Sequence, residues 1–170
     1  MCLLKMEREQ NQIKKYKIAL VYPYFKKDAY LLGWPLGLGY ISSFLKNKNH
    51  EAKIFHAKDY DCSEEQMLEG IREYTPDYVG IYSNYALRYE CISFITLLKE
   101  KRYKVIVGGP DPTLRPELYV GNADFVIRGE GEYVLSNFLS NGEKPVKGMA
   151  YLENGAPVIL EREENIPNLD

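Results

Sequence analysis

Five short apolar runs, separated by amphipathic stretches, dominate the first part of the chain. They are rich in β-branched and aromatic residues, and each ends at glycine, proline or a polar residue, which is typical of buried strands. The runs occupy residues 17–22, 51–57, 77–83, 104–107 and 123–128. Each of them is predicted to be a β-strand.

The stretches between the runs carry apolar residues at helical spacing. They predict helices over 35–49, 61–75, 89–101 and 133–139, and a helical turn over 116–120. Pro35 suits a first helical turn, where a backbone N–H would lack a partner, and Ser63 followed by Gln66 forms a capping-box pattern. Gly37 and Gly39 weaken the first helix, which indicates that this helix presses on a sheet or on a ligand.

Strands and helices alternate five times, which predicts an open parallel sheet with helices on both faces. The predicted fold class is α/β: a three-layer αβα domain over residues 17–142 with a five-stranded parallel, Rossmann-like sheet. Residues 148–160 predict a β-hairpin, because Asn154-Gly155 favours a tight two-residue turn. The hairpin belongs to a hairpin-and-linker segment over 143–170, and the polar residues 1–16 are expected to form a flexible leader.

Composition narrows the class of protein. The chain has 170 residues, a net charge of −2 and no basic block, so nothing favours nucleic acid as a partner. Its three cysteines are far apart, which argues against a disulfide framework and favours a reducing, cytoplasmic setting. No apolar window is long enough for a membrane span, and the N-terminus lacks the apolar core of a signal peptide.

The fourth strand ends abruptly at Gly108-Gly109-Pro110-Asp111. Two adjacent glycines remove two Cβ atoms, so either a large group comes close to the backbone or the chain adopts a positive φ in a tight turn. Both interpretations are open from these residues alone. Ligands of parallel sheets bind at the carboxyl ends of the strands, and three more strands end there in unusual residues. These exits are 22–35, 83–85 and 129–132.

Several common site chemistries are excluded by motif. The chain has no phosphate-binding GxxxxGK[ST] loop, and Gly37-x-Gly39 lacks the third glycine of a dinucleotide fingerprint. No catalytic triad and no metal-ligand spacing occur, and the two histidines, His50 and His56, lie in the second predicted strand region. The pattern therefore indicates a binding module more than a self-contained catalyst.

Four segments together carry a family resemblance. They are Pro35-Leu36-Gly37-Leu38-Gly39-Tyr40-Ile41, Pro76-Asp77-Tyr78-Val79-Gly80-Ile81, Val107-Gly108-Gly109-Pro110, and Asp124-Phe125-Val126-Ile127-Arg128-Gly129-Glu130-Gly131-Glu132. In this order and spacing they resemble the N-terminal cobalamin (vitamin B12)-binding domain of B12-dependent radical SAM proteins. The resemblance covers roughly residues 17–170, including the hairpin and the Ile166-Pro167-Asn168-Leu169-Asp170 linker.

The resemblance implies a flavodoxin-like strand order, a corrin ring over the carboxyl ends of the strands, and the cofactor's nucleotide tail threaded beside the fourth strand. On this view Ser83 meets the tail or the corrin periphery, and Gly108 and Gly109 leave room for the tail. The implied cofactor-binding residues are Tyr24, Pro35, Leu36, Gly37, Ser83, Asn84, Tyr85, Gly108, Gly109, Pro110, Asp111, Gly129, Glu130 and Gly131. Substituting Gly108 or Gly109 by valine is expected to abolish cobalamin binding and to leave the fold largely intact.

The chain departs from related modules in two ways. The Asp-x-His-x-x-Gly motif that supplies a histidine to cobalt in methionine synthase-type modules is missing, so no histidine ligand to cobalt is expected. The Cys-x-x-x-Cys-x-x-Cys motif of radical SAM domains is also missing. The iron–sulfur cluster and the SAM site are therefore expected outside these residues, with methyl transfer or radical chemistry performed by a separate radical SAM domain or partner chain.

Two alternatives are open. The chain could be a degenerate interaction domain that kept the fold and lost cobalamin, with Tyr24, Phe25, Tyr30 or Trp34 folded into the corrin space. It could also bind a nucleotide as an enzyme of its own, through Asp111, Glu130 or Glu132. The second alternative lacks a nucleophile, or a base with an orienting partner.

Overall fold

In the computed structural model, which describes residues 14–25, 35–61 and 63–162, strands and helices alternate as predicted. The strands are β1 (Lys17–Tyr22), β2 (Glu51–His56), β3 (Tyr78–Tyr82), β4 (Val105–Gly108), β5 (Phe125–Ile127), β6 (Met149–Glu153) and β7 (Ala156–Ile159). The helices are α1 (Leu36–Asn47), α2 (Glu64–Tyr74), α3 (Arg88–Glu100), α4 (Pro110–Leu114) and α5 (Gly131–Ser140). The predicted leader and the end of the linker lie mostly outside the described residues.

The sheet has the strand order β2-β1-β3-β4-β5-β6-β7. Strands β1 to β5 pair in parallel in the flavodoxin-like order implied by the resemblance. The hairpin extends this sheet, because β6 pairs antiparallel with β5 and β7 with β6. Among the described residues the sheet therefore has seven strands: the five parallel strands that were predicted, and the two strands of the predicted hairpin, which were not expected to join it. Met149 and Ala150 of β6 are buried against the sheet's helix layers, so apolar burial explains why the hairpin docks here.

Each face of the sheet has its own apolar core. Alternate residues of a strand point to opposite faces, so Val107 packs with helices α2 and α3, whereas Ile106 packs with α1 and α5. Phe94 of α3 is fully buried in the first core, and Phe138 of α5 is fully buried in the second. The three-layer αβα architecture is confirmed.

Local signals explain most of the helix boundaries. The Ser63 hydroxyl accepts a hydrogen bond from the Gln66 backbone amide (3.3 Å), which confirms Ser63 as the N-cap of α2. Helix α4, which includes Pro110 and Pro112, was not predicted, since residues 108–111 were interpreted as the abrupt end of a strand. Both prolines lie in its first turn, where a missing N–H costs no hydrogen bond.

Glu143 joins several elements at the opposite, amino-terminal edge of the sheet. Its carboxylate accepts hydrogen bonds from the hydroxyls of Tyr16 (2.9 Å) and Tyr78 (2.6 Å) and from the ammonium groups of Lys14 (2.8 Å) and Lys104 (3.1 Å). These four donors, led by Lys14, hold the pKa of Glu143 well below its usual range. Within the described residues, no helix is both long and apolar enough to cross a bilayer.

Candidate functional site

A cavity of about 160 Å³ opens at the carboxyl edge of the sheet, between the sheet and helices α1 and α5. Its walls are mostly aliphatic side chains and glycine backbone. Six of the predicted cofactor-binding residues line it: Gly37, Gly108, Gly109, Gly129, Glu130 and Gly131. The structure thus brings together the exits of β4 and β5 with the start of α1.

The strand register explains why the cavity exists. Across the carboxyl edge, His56 lies beside Tyr22 on β1, and Tyr82 lies beside Gly108 on β4. The rings of His56, Tyr22 and Tyr82 follow one another with centroid separations of 5.1 and 5.4 Å. The row then loses its side chain at Gly108, where an added Cβ would have Ile127 Cβ as its nearest neighbour, at 3.6 Å.

A second glycine deepens this gap. Gly80 lies one row further into the sheet, between Leu20 of β1 and Ile106 of β4. A Cβ at Gly80 would come within 3.2 Å of Leu20 Cδ2. Glycines at neighbouring, diagonal positions of β3 and β4 therefore leave a continuous space beneath α1 and α5.

The helices complete the walls at close range. A Cβ at Gly131 of α5 would lie 2.8 Å from Ile41 Cδ1 of α1, so this glycine permits the two helices to meet. A Cβ at Gly37 or Gly39, by contrast, would meet no described atom within 4 Å. The expectation that α1 presses on the sheet at these two glycines is therefore wrong, whereas the alternative that it presses on a ligand there stays a prediction.

Gly108 and Gly109 serve different purposes. Gly109 has φ of 115°, and a Cβ there would collide with the carbonyl oxygen of Ser83. Gly109 is thus required by the turn itself, whereas Gly108 leaves space beside the strand. The expectation that a valine at position 109 would leave the fold intact is wrong, because it ignored this contact with the β3 exit.

Ser83 and Asp111 lie on the other side of the sheet. The buried Ser83 hydroxyl is 2.8 Å from the Tyr119 hydroxyl, which donates to Asp111 Oδ2 at 2.6 Å. Arg88 donates to both oxygens of Asp111, at 2.7 and 2.6 Å. The Arg88 guanidinium holds the pKa of Asp111 below its usual range, and burial raises the pKa of Tyr119. This Ser83–Tyr119–Asp111–Arg88 network joins the β3 and β4 exits and does not line the cavity.

The other predicted residues lie around the edge, outside the cavity walls. Leu36 and Tyr85 are 74% and 76% exposed. The Asn84 carboxamide oxygen accepts from the Leu87 amide at 3.0 Å and caps the short turn before α3. Tyr24 is half-buried against the core on the α1 side, while Pro35 precedes α1 and Pro110 begins α4.

The cavity has few ionisable groups. Glu130 is exposed, and Glu132 is half-buried at the start of α5, where burial raises its pKa. His50 and His56 do not line the cavity. Among the described residues, no three histidine, cysteine or acidic side chains cluster as metal ligands. The described walls are mainly apolar and therefore suit an apolar group.

Sequence reasoning missed most of the aliphatic wall, including Leu20, Leu38, Ile106 and Leu135. These residues look like ordinary core positions, and only the tertiary arrangement shows that they border a space. Gly80 had a detectable signal, because an isolated glycine inside a strand marks a site where another group approaches.

Comparisons with known proteins bear on the family and the fold of the chain. The family model described as the B12 binding domain matches residues 27–139. Cytidylyl-2-hydroxyethylphosphonate methyltransferase of Streptomyces wedmorensis is 26% identical over 166 residues, which cover 82% of this chain and 31% of that protein. The chain therefore spans about a third of the length of this relative.

Two solved structures share the fold. The cobalamin-dependent SAM radical enzyme OxsB with aqua-cobalamin bound superposes with a TM-score of 0.78 and 18% identity, over 90% of this chain and 23% of OxsB. The radical SAM methyltransferase TsrM from Kitasatospora setae, with cobalamin and a [4Fe-4S] cluster bound, gives 0.74 and 17%, over 87% of this chain and 31% of TsrM. The predicted fold class and resemblance are confirmed, and the chain belongs to the B12-binding domain family.

Proposed function

We propose that this chain holds cobalamin at the carboxyl edge of its sheet, with the base of the nucleotide tail entering the cavity and the corrin ring above the strand ends. The observation that carries this placement is the paired absence of side chains at Gly80 and Gly108, which opens an aliphatic slot beside β4. A cavity of about 150 Å³ lined by aliphatic side chains accommodates one benzene ring. The space of about 160 Å³ therefore has room for about one aromatic ring of the tail's base, so the rest of the tail and the larger corrin must lie outside.

The residues around the opening would hold the corrin. Gly129 and Glu130 border the cavity at the β5 exit, while Leu36 and Tyr85 are exposed at the exits of β1 and β3. When bound, the corrin's cobalt supplies methyl-group or electron transfer that amino-acid side chains cannot perform. The protein contributes binding, orientation and shielding of one ring face.

We further propose that the chemistry belongs to a radical SAM domain that faces the same edge. Large apolar side chains remain exposed beside the exits of β1, β3 and β4: Leu36, Tyr40, Tyr85, Tyr89 and Leu114. Exposed apolar side chains clustered at one edge indicate a surface that a ligand or partner covers. The methyltransferase relatives support methyl transfer as the reaction of the complete assembly.

The alternatives find less support. The cavity is open among the described residues, and Phe25 packs against Phe94 in the opposite core, with a centroid separation of 5.2 Å, instead of filling it. Tyr30 and Trp34, the other aromatic residues of that alternative, lie outside the described residues. Asp111, considered as a nucleotide contact, is engaged by Arg88 and Tyr119.

Spectral titration with hydroxocobalamin and methylcobalamin tests the proposal. A tail base seated in the cavity cannot coordinate cobalt, so at neutral pH the bound cofactor is expected to show the absorption spectrum of the base-off form and to co-elute on gel filtration. Gly108→Val should weaken binding by about tenfold or more, because its methyl groups would occupy the tail's space. Ser140→Val, on the exposed end of α5, is the control and should bind as the wild type does. Failure of the wild type to shift the spectrum or retain cobalamin would contradict the proposal.

A further inference from the structure

The floor of the cavity is built almost entirely from buried aliphatic side chains. Leu20 and Ile106 come from the sheet, and Leu38 and Leu135 come from helices α1 and α5. All four are at most 4% exposed. A group that reaches this floor is therefore removed from water.

The floor offers almost no hydrogen bonds to such a group. Gly80 and Ile106 are paired in the parallel β-ladder, so their backbone groups are engaged with neighbouring strands. Glu130 is exposed and Glu132 is half-buried at the start of α5; both border the cavity, but neither belongs to the aliphatic floor. Among the described residues, the buried side-chain atoms without a hydrogen-bond partner are His50 Nε2 and Arg128 Nε, and neither residue lines the cavity.

We propose that this floor selects the base at the end of the cofactor's tail: it accepts an apolar benzimidazole and rejects a purine, with Gly80 and Leu20 setting its depth. The inference rests on the proposed function, since it assumes that the tail enters this cavity. An adenine base carries an exocyclic amino group and additional ring nitrogens. Burying such groups without partners is unfavourable, whereas burying the methyl groups of dimethylbenzimidazole is favourable.

Gly80 gives the floor its depth without being needed for the fold. A methyl group at this position would contact Leu20 Cδ2 at 3.2 Å, a contact that a small movement of a flexible side chain relieves. The adjacent cavity gives Leu20 room for that movement. Gly80→Ala is therefore expected to fold normally and to shorten the space available to the base.

The experiment compares three purified corrinoids by spectral titration: cobalamin, the adenine-based cobamide, and cobinamide, which lacks the tail. Wild-type protein should bind cobalamin about 10- to 100-fold more tightly than the adenine-based cobamide. Gly80→Ala should weaken cobalamin binding by about tenfold and leave cobinamide binding unchanged. Gly39→Ala, which adds the same methyl group on the exposed side of α1, should keep all affinity ratios at wild-type values.

A second variant tests the polarity of the floor separately from its depth. Ile106→Val, which is one carbon shorter, is the control, and Ile106→Thr has the shape of that valine but carries a hydroxyl. Compared with Ile106→Val, Ile106→Thr should narrow the preference for cobalamin over the adenine-based cobamide by several-fold, because the purine gains a hydrogen-bond partner. Circular dichroism and urea unfolding of each variant show that it is folded.

The outcomes separate the two proposals. If no corrinoid binds, the proposed function and the inference both fail. The tail does not reach the floor if cobinamide binds as tightly as cobalamin, or if Gly80→Ala leaves the affinities for cobalamin and cobinamide unchanged. Either result would overturn the inference, although the protein would still bind a corrinoid. Equal affinity for the two complete cobamides would also overturn it.

Discussion

At the scale of single residues, the two adjacent glycines at the end of β4 have different structural roles. Gly108 continues the strand and leaves a gap in a row of side chains, while Gly109 turns the chain against the backbone of Ser83. The sequence indicated either a close approach to the backbone or a tight turn with positive φ, but it could not show which glycine serves which role. The assignment depends on Ser83, which is 26 residues away along the chain and adjacent only in the folded sheet.

The role of Gly109 predicts that alanine lowers the free energy of unfolding by different amounts at two glycines with positive φ. Gly109→Ala should lower the free energy of unfolding by about 2–4 kcal/mol, since it combines backbone strain with a collision. Gly155→Ala is the matched control: its φ is 82°, but an added Cβ meets no described atom within 4 Å. Gly155→Ala should lower the free energy of unfolding by about 1 kcal/mol. Urea unfolding measures both, and equal losses would contradict the collision with Ser83.

Ser83 and Asp111 show how far residue-level reasoning reached. Both were singled out correctly as unusual at strand exits, but the structure assigns them to a buried network with Tyr119 and Arg88. Tyr119 gave no signal of its own, because one tyrosine in a tyrosine-rich chain is unremarkable until its hydroxyl is seen between two polar groups.

At the scale of elements, hydrophobic periodicity was enough to predict β1 to β5 and the helices between them. The strand β3 was identified because Val79 and Ile81 form a buried run that ends at a polar residue. The docking of the hairpin could not be predicted in this way, since a local pattern shows that two strands pair with each other but not which third strand receives them. Only the free edge of β5 determines that position.

Two glycines of helix α1 permit a test that separates effects on stability from effects on cobalamin binding. Gly37 and Gly39 are two residues apart in one helix, and both have open space where a Cβ would be, but only Gly37 lines the cavity. Alanine at either position should stabilise the protein by about 0.5–1 kcal/mol through helix propensity. Gly37→Ala should also weaken cobalamin binding several-fold, because its methyl group enters the cavity.

Thermal unfolding and spectral titration of the two variants check this prediction. Gly39→Ala serves as the control for binding, and its affinity should equal that of the wild type. A stabilised Gly37→Ala variant with unchanged affinity would contradict the assigned position of the cavity wall.

At the scale of the whole molecule, the sheet separates an apolar cavity from a charged hydrogen-bond network at its carboxyl edge. The aliphatic cavity lies on the side of α1 and α5, and the charged network lies on the side of α2 and α3. The network joins the exits of β3 and β4 without occupying the space that the tail would enter. The network therefore links the exits of β3 and β4 on the side of the sheet opposite the cavity.

This organisation predicts a pH dependence of stability. The pKa values of Asp111 and Glu143 are both lowered by cationic hydrogen-bond donors, chiefly Arg88 and Lys14. A lowered pKa in the folded state stabilises the protein above the ordinary carboxyl pKa of about 4, and that stabilisation is lost as the pH falls below it. The free energy of unfolding should therefore decrease steeply from about pH 5 to about pH 2.

The double variant Asp111→Asn/Glu143→Gln should be less stable than the wild type at pH 7, by about 2 kcal/mol or more, and its stability should change less with pH. Urea unfolding at a series of pH values measures the slope. The exposed substitution Asn137→Ala is a control that should keep the wild-type slope. A double variant with the same acid dependence as the wild type would show that other groups dominate.

The hairpin that lengthens the sheet also leaves β7 as its last strand, and the outer side of such a strand can recruit a strand from another molecule. Pro157 lies in the middle of β7, opposite Leu152. Proline has no N–H, and its ring hinders a further strand from pairing at that point. The position of Pro157 therefore disfavours pairing of β7 with a strand of another molecule. The hairpin thus extends the sheet and also lowers the tendency of its edge to aggregate.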